Sequence, residues 1–273
     1  MSTDVVRVTP EWLVLREPAD AGARSAELAE VLGRHLPRAG RLVIHDLGGG
    51  SGAMGRWLAP RLPGPQHWVV HDRDEDVLAL AIADPPGPAA DGAAVTVEAR
   101  RSDITRLAPG DLAGASLITA SALLDVLTAD ALAAMLGACV GSACPMLLAL
   151  TVVGRVVLTP ADRLDTRMAA AFNAHQRRTT AAGRLLGPDA VAAAVETLRA
   201  TGAEVLVRPS PWRLDAAHTD LTAEWLAGWV GAASEQEPAL AADAGDYLDR
   251  RMAQAAAGDL SVTVDHADLL ALP

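Results

Sequence analysis

The chain has 273 residues, about half of them apolar, with 34 acidic side chains against 23 arginines and no lysine, for a net charge of −11. That balance argues against a duplex DNA or RNA substrate, whose phosphates need a basic footprint. The missing lysine excludes a Walker-A phosphate loop and any Schiff base on lysine. No apolar run is long and unbroken enough to span a bilayer, so no membrane partner is expected. The two cysteines, Cys139 and Cys144, have neither a second pair nor a neighbouring histidine, so no metal site is expected and both read as reduced thiols.

Residues 1–40 read as a helical cap, clearest in AGARSAELAEVLGRHL (21–36). The opening MSTDVVRVTPEWLVLREP shows no basic segment followed by an apolar stretch, which makes a cytoplasmic location the expectation. RLVIHDL (41–47) is apolar at consecutive positions, as a parallel strand buried on both faces should be. A helix follows over 51–62, then the strand HWVVHD (67–72), a helix over 74–83 and the loop DPPGPAADG (84–92). AAVTVEARRSD (93–103) and SLITASALL (116–124) read as the third and fourth strands. A helix from Thr128 to about 138 and the strand PMLLALTVVG (145–154) come next.

Alternation then loosens. Residues 155–187 read as a helical segment centred on 163–176, followed by a helix from Pro188 and the strand AEVLVRPS (203–210). A helical insertion over about 212–258 precedes a closing strand at 260–273. The succession predicts an α/β fold with a seven-stranded doubly wound sheet spanning 41–273.

The stretch DLGGGSGAMG (46–55) carries two fingerprints. From Gly50 it reads G-x-G-x-x-G, the loop that cradles a dinucleotide pyrophosphate. From Asp46 it reads D-x-G-x-G-x-G. A carboxylate at the strand end would repel a pyrophosphate seated on the helix N-terminus, but would attract the ammonium and sulfonium of S-adenosyl-L-methionine (SAM). Gly48, Gly50 and Gly52 let backbone lie against the ligand. Asp72 ends the second strand twenty residues later, where a carboxylate accepts ribose hydroxyls. Asp103 ends the third strand, as an adenine-binding acid or as a turn residue.

On these residues the chain resembles the class I, Rossmann-like SAM-dependent methyltransferases, over roughly 41–210 plus the last strand. The resemblance implies strand order 3-2-1-4-5-7-6 with the last-formed strand antiparallel. It implies SAM as cofactor and S-adenosyl-L-homocysteine (SAH) as product. Asp46, Gly48, Gly50, Ser51 and Gly52 would approach the methionine part, Asp72 and Arg73 the ribose, and Asp103 and Ile104 the adenine. Ser121, in SALLDVLT (121–128), would lie beside cofactor and substrate. Methyltransferases acting on nucleic-acid amines or on glutamine carry [DN]-P-P-[YF] where this chain has SALL, and the DPPG at 84–87 follows the second helix instead. A small-molecule acceptor, methylated on oxygen or nitrogen, is therefore the expectation, with no nucleic acid as partner; monomer and homodimer stay open.

Methyl transfer is an in-line displacement that rests largely on positioning, helped by a general base when the acceptor must lose a proton. His175 in AFNAHQRRTT and Asp125 are the candidate bases. Phe172, Asn173 and Arg178 (or Arg177) are candidates to line an acceptor pocket and grip an anion. Trp225 and Trp229, four apart on one helix, read either as a stripe on the core or, with Trp212, as a lid over an aromatic or sugar-like substrate. Arg16 and Arg24 are placed to help the N-terminal helix close over the site. His45 and His71 point away from their acidic neighbours by strand alternation. Two other readings stand beside this one: an NAD(P)-dependent oxidoreductase using GSGAMG, and a SAM-fold binding protein without catalysis.

Overall fold

The computed structural model describes residues 9–273, so residues 1–8 of the opening segment lie outside it. Thr9 caps α1 (Pro10–Ala23) by accepting the Trp12 N–H, and Ser25 caps α2 (Ala26–His35) by accepting that of Leu28. The sheet then begins with β1 (Leu42–Leu47), α3 (Ala53–Leu58), β2 (Gln66–Asp72), α4 (Glu75–Ala83) and β3 (Val95–Arg101). It continues through β4 (Leu117–Ser121), α5 (Ala129–Val140) and β5 (Met146–Thr159). The second half holds α6 (Asp165–Gln176), a small hairpin of β6 (Thr179–Thr180) and β7 (Gly183–Arg184), α7 (Ala190–Ala200), β8 (Glu204–Pro209) and β9 (Trp212–Leu214). It closes with α8 (Thr219–Gln236), α9 (Ala241–Ala257) and β10 (Ser261–Leu272).

The sheet order is β3-β2-β1-β4-β5-β10-β8, with β10 antiparallel to both neighbours and β1 to β5 parallel. Counted along the path this is 3-2-1-4-5-7-6, as the sequence predicts. One strand was not expected: the short β9 also pairs with β10.

Strand alternation divides the core. On one face Ile44, Trp68, Leu117 and Leu147 pack under Leu28 and Leu32 of α2 and Trp57 and Leu58 of α3. On the other, Leu47, Ile118 and Leu148 meet Leu132 and Leu136 of α5 and Leu198 of α7. Helix α2 is buried in the same core as β1.

A third cluster lies beyond the sheet. Residues 155–159, expected in a helical segment, prolong β5, and Ser261–Val264 of β10 pair with them. Its seam is buried by Leu158, Val262 and Val264 against α6, α8, α9 and β9. Trp225 and Trp229 belong to this cluster: their rings stack at 5.1 Å, and Trp229 tilts on Tyr247 at 6.3 Å. Of the two expectations for this pair, the packing displays the core stripe.

Candidate functional site

The loop after β1 turns because three alternate glycines adopt left-handed backbone, with φ of 61° at Gly48, 54° at Gly50 and 80° at Gly52, where side chains are disfavoured. Gly49 is required for a different reason. A Cβ there would sit 2.5 Å from Asp46 Oδ2 and 2.8 Å from Val70 Cγ1. The loop is thus folded down onto Asp46, and its Gly49 N–H donates to the His71 carbonyl of the neighbouring strand.

Asp46 is fully buried. Its Oδ1 accepts the Thr119 hydroxyl at 2.7 Å, while Oδ2 has no hydrogen-bond partner. Burial pushes its pKa up to about 7; the Thr119 hydrogen bond and the Arg24 charge pull it down, and Asp72 pushes it up. The consequence for stability has a definite sign. An acid whose folded pKa exceeds the unfolded value of about 3.9 disfavours the fold progressively as pH rises from about 4 to 7. Asp46→Asn keeps an acceptor for Thr119 and removes the charge. The variant should gain stability over the parent, the advantage growing by on the order of 2–3 kcal/mol between pH 5 and pH 8. Urea unfolding at the two pH values checks it, and a pH-independent difference would contradict it. The buried His45, His71 and His266, each held at about 4 by burial, are common to both proteins and cancel.

Asp72 ends β2, accepting the Gly50 N–H on Oδ2 at 3.2 Å and the Asp74 N–H on Oδ1 at 3.0 Å. Asp103 uses Oδ1 to cap the following turn, accepting from the backbone and hydroxyl of Thr105. Those bonds lower its pKa, the hydroxyl one most. Of its two expected roles, the turn role is the one the structure displays. Ile104 is buried in the core on the α5 side, and Arg73 is exposed. Ser51 is buried, its carbonyl accepting from Arg56 at 2.7 Å.

Helix α1 lies across this loop. Leu13 Cδ1 would be 3.8 Å from a Cβ on Gly50. Glu17 grips Arg56 of α3 through both carboxylate oxygens, at 2.6 and 2.5 Å, and Asp20 accepts from Arg16 and from the Trp212 indole. Arg16 lies over the Trp12 and Trp212 rings at 5.9 and 5.2 Å. At the end of α1 the Arg24 guanidinium turns inward, donating to Ser121 Oγ at 3.1 Å. Ser121 ends β4, and Ala122 follows with φ of 51°, a strained value for alanine.

Asp125 falls on the single turn Leu124–Val126 just after β4. Burial raises its pKa, against its own backbone N–H and the Arg16 charge, which lower it. The Arg16 charge of α1 thus reaches this carboxyl.

The segment after β5 is arranged otherwise than expected. His175 Nε2 is 3.2 Å from Glu235 Oε2, at the seam of α6 and α8. Arg178 donates to the His175 carbonyl, and Asn173 to the Gly154 carbonyl at 2.7 Å, tying α6 to β5. Phe172 packs on the third cluster. In the fold these four side chains tie α6 to β5, to α8 and to the third cluster.

The sequence reading missed Thr119, Glu17, Arg56 and Asp20. Thr119 is polar within the otherwise apolar LITA run, a signal available in the sequence. Glu17 and Arg56 are ordinary surface-type residues whose pairing only the fold reveals.

Among solved structures, the chain is similar to a protein of Anaeromyxobacter dehalogenans described as a type II methyltransferase, at 15% identity over 92% of this chain and 97% of that one, with a TM-score of 0.51. The cyclopropane synthase MmaA2 of Mycobacterium tuberculosis aligns at 13% identity over 97% and 94%, with a TM-score of 0.49. A SAM-dependent methyltransferase of Thiobacillus denitrificans, solved with S-adenosyl-L-homocysteine, aligns at 14% over 98% and 99%, with a TM-score of 0.45. No family profile and no curated protein matches the sequence. The first of these likenesses, together with the 3-2-1-4-5-7-6 strand order, shows that the chain has the Rossmann-like methyltransferase fold.

Proposed function

We propose that the protein is a SAM-dependent methyltransferase acting on an oxygen or nitrogen of a small molecule. The observation that carries this reading is the loop: three left-handed glycines fold backbone onto a buried carboxylate, with a second carboxylate at the end of β2. That arrangement suits a cationic ligand with a ribose and opposes a pyrophosphate. The donor set suits the cofactor, and the proposal assigns Asp72 to the ribose hydroxyls, the glycine loop to the methionine portion and Ser121 to the side of the transferred methyl. When bound, SAM supplies an electrophilic methyl carbon on a sulfonium.

The chain's own part is to orient the acceptor and take its proton. SAM held there would supply the methyl group and take back the C–S electron pair, and Asp125 is the group proposed to accept the proton that the acceptor gives up. A proton-losing O–H or N–H acceptor follows from having such a base. Helix α1, held over the loop by the Glu17–Arg56 pair, excludes water from the reacting atoms. Net charge supports a small acceptor over nucleic acid.

The oxidoreductase reading is disfavoured by two observations. The Gly50 N–H, which would face a pyrophosphate, is donated to Asp72. The one tyrosine, Tyr247, is buried in the third cluster, its hydroxyl donating to Asp165 at 2.7 Å. Thermal unfolding with SAM, SAH or NAD(H) separates the readings. At a hundred times its dissociation constant a ligand adds about 2.7 kcal/mol, and SAM and SAH should raise the midpoint while NAD(H) does not. Stabilisation by NAD(H) alone would end the methyltransferase proposal. Stabilisation by SAM with no methyl transfer across an acceptor panel would favour a binding protein.

A further inference from the structure

Arg24 is a cation with more donors than partners. Its side chain is 1% exposed, it remains charged in a protein interior, and a buried charge is ordinarily paired and hydrogen-bonded. One nitrogen donates to Ser121 Oγ, yet Nε and the other terminal nitrogen have no hydrogen-bond partner.

The acids nearby do not fill the gap, because each is engaged elsewhere. Asp20 is 4.0 Å away and accepts from Arg16 and Trp212. Asp268 accepts the Ser25 N–H, the Leu150 N–H and the Ser210 hydroxyl at 2.7, 2.8 and 2.5 Å. Asp46 is held by Thr119 through one oxygen. The guanidinium itself is fixed: Ser121 holds its tip, the Trp57 ring lies 5.7 Å from its carbon, and the Arg24 N–H ties back to the Asp20 carbonyl. Its tip therefore stands at the end of β4, on the same side of the sheet as Asp46 and the glycine loop.

We infer that Arg24 is the receptor for a carboxylate, specifically the α-carboxylate at the amino-acid end of the cofactor; this rests on the SAM reading above. The surrounding charge selects the ligand class. Asp20, Asp46 and Asp268 create a negative field that would repel a phosphate dianion but tolerates a monoanion, the more so one that carries its own ammonium. An α-amino acid end is such a group. Its carboxylate would meet the unpartnered guanidinium donors, and the free Oδ2 of Asp46 supplies the opposite charge nearby. A carboxylate-bearing acceptor shares this chemistry and is distinguished in the test.

The test is calorimetric binding of SAH and of 5′-methylthioadenosine, which keeps the adenosine and lacks the amino-acid end, to the full chain and to Arg24→Gln. Loss of a charge-assisted bond should weaken SAH roughly 10- to 150-fold and leave methylthioadenosine unchanged, the latter also showing that the variant is folded. Equal SAH affinity in both proteins would overturn the assignment; if that came with a raised acceptor KM, the carboxylate would be the acceptor's and the cofactor role wrong. Binding of neither ligand to the parent would overturn the SAM reading beneath it. Should Arg24→Gln fail to fold, decarboxylated SAH on the parent serves instead: it should bind weakly, and binding as tight as SAH would refute the inference.

Discussion

Replacing Trp229 with alanine should lower the stability of the protein by about 3–5 kcal/mol, the usual cost of emptying an aromatic site in a packed core. The ring is 1% exposed, stacks on Trp225 and tilts on Tyr247, in a cluster that holds α6, α8 and α9 on the seam of β5 and β10. Against a total stability of roughly 5–15 kcal/mol for a native protein, that loss would leave a marginal fold. Urea unfolding measures it. Trp225→Phe, at a position 9% exposed, should cost less and leave SAH affinity intact. A neutral Trp229→Ala with altered acceptor use would favour the substrate-lid reading over the core stripe.

The helical cluster shows where sequence reasoning reaches its limit. Trp225 and Trp229 announce one helix face, but periodicity does not say what that face covers. The answer depended on β5 continuing to Thr159. In β5 the stretch 152–157 alternates between half-buried and exposed positions, a weak signal that a Pro-terminated segment hides. The parallel strands were easier, because RLVIHDL and SLITA carry apolar residues at adjacent positions, as burial on both faces requires. Helix starts at Thr128 and Asp74 were legible because a capping side chain is local: Thr128 accepts the Ala131 N–H, Asp74 that of Asp76.

The site divides the same way. The glycine loop, Asp46 and Asp72 are local in sequence, and the left-handed turn and the strand-end carboxylates they form were legible there. The prediction that His45 turns away from Asp46 also matches the structure, where His45 Nδ1 lies 2.8 Å from His71 Nε2 and Asp46 meets Thr119. What no spacing encodes is long-range pairing. Glu17 reaches Arg56 across 39 residues and Arg24 reaches Ser121 across 97. His175 reads as a base because it lies in a polar cluster after the fifth strand; that its ring meets Glu235 at a helix seam, 60 residues away in sequence, only the fold reveals.

Asp125→Asn should therefore be the substitution that separates chemistry from binding. The side chain sits on the turn after β4, four residues past the Ser121 that ends the strand, and burial raises its pKa. A proton acceptor works only when ionised, so the parent's kcat should rise with pH through a limb displaced above the ordinary carboxylate range. Asparagine keeps the size and cannot take the proton: kcat should fall by about 10²–10⁴-fold, with the limb abolished and SAH affinity unchanged. Stability moves in the opposite sense to activity. A raised folded-state pKa disfavours the charged form, so the variant should be no less stable than the parent above the carboxylate range. His175→Gln, by contrast, should leave the pH limb where it is, because its ring faces Glu235. Loss of the limb in His175→Gln and its retention in Asp125→Asn would move the base from the turn after β4 to α6. The acceptor would then have to approach from the third cluster, and α1 would no longer be the helix that closes over the reaction.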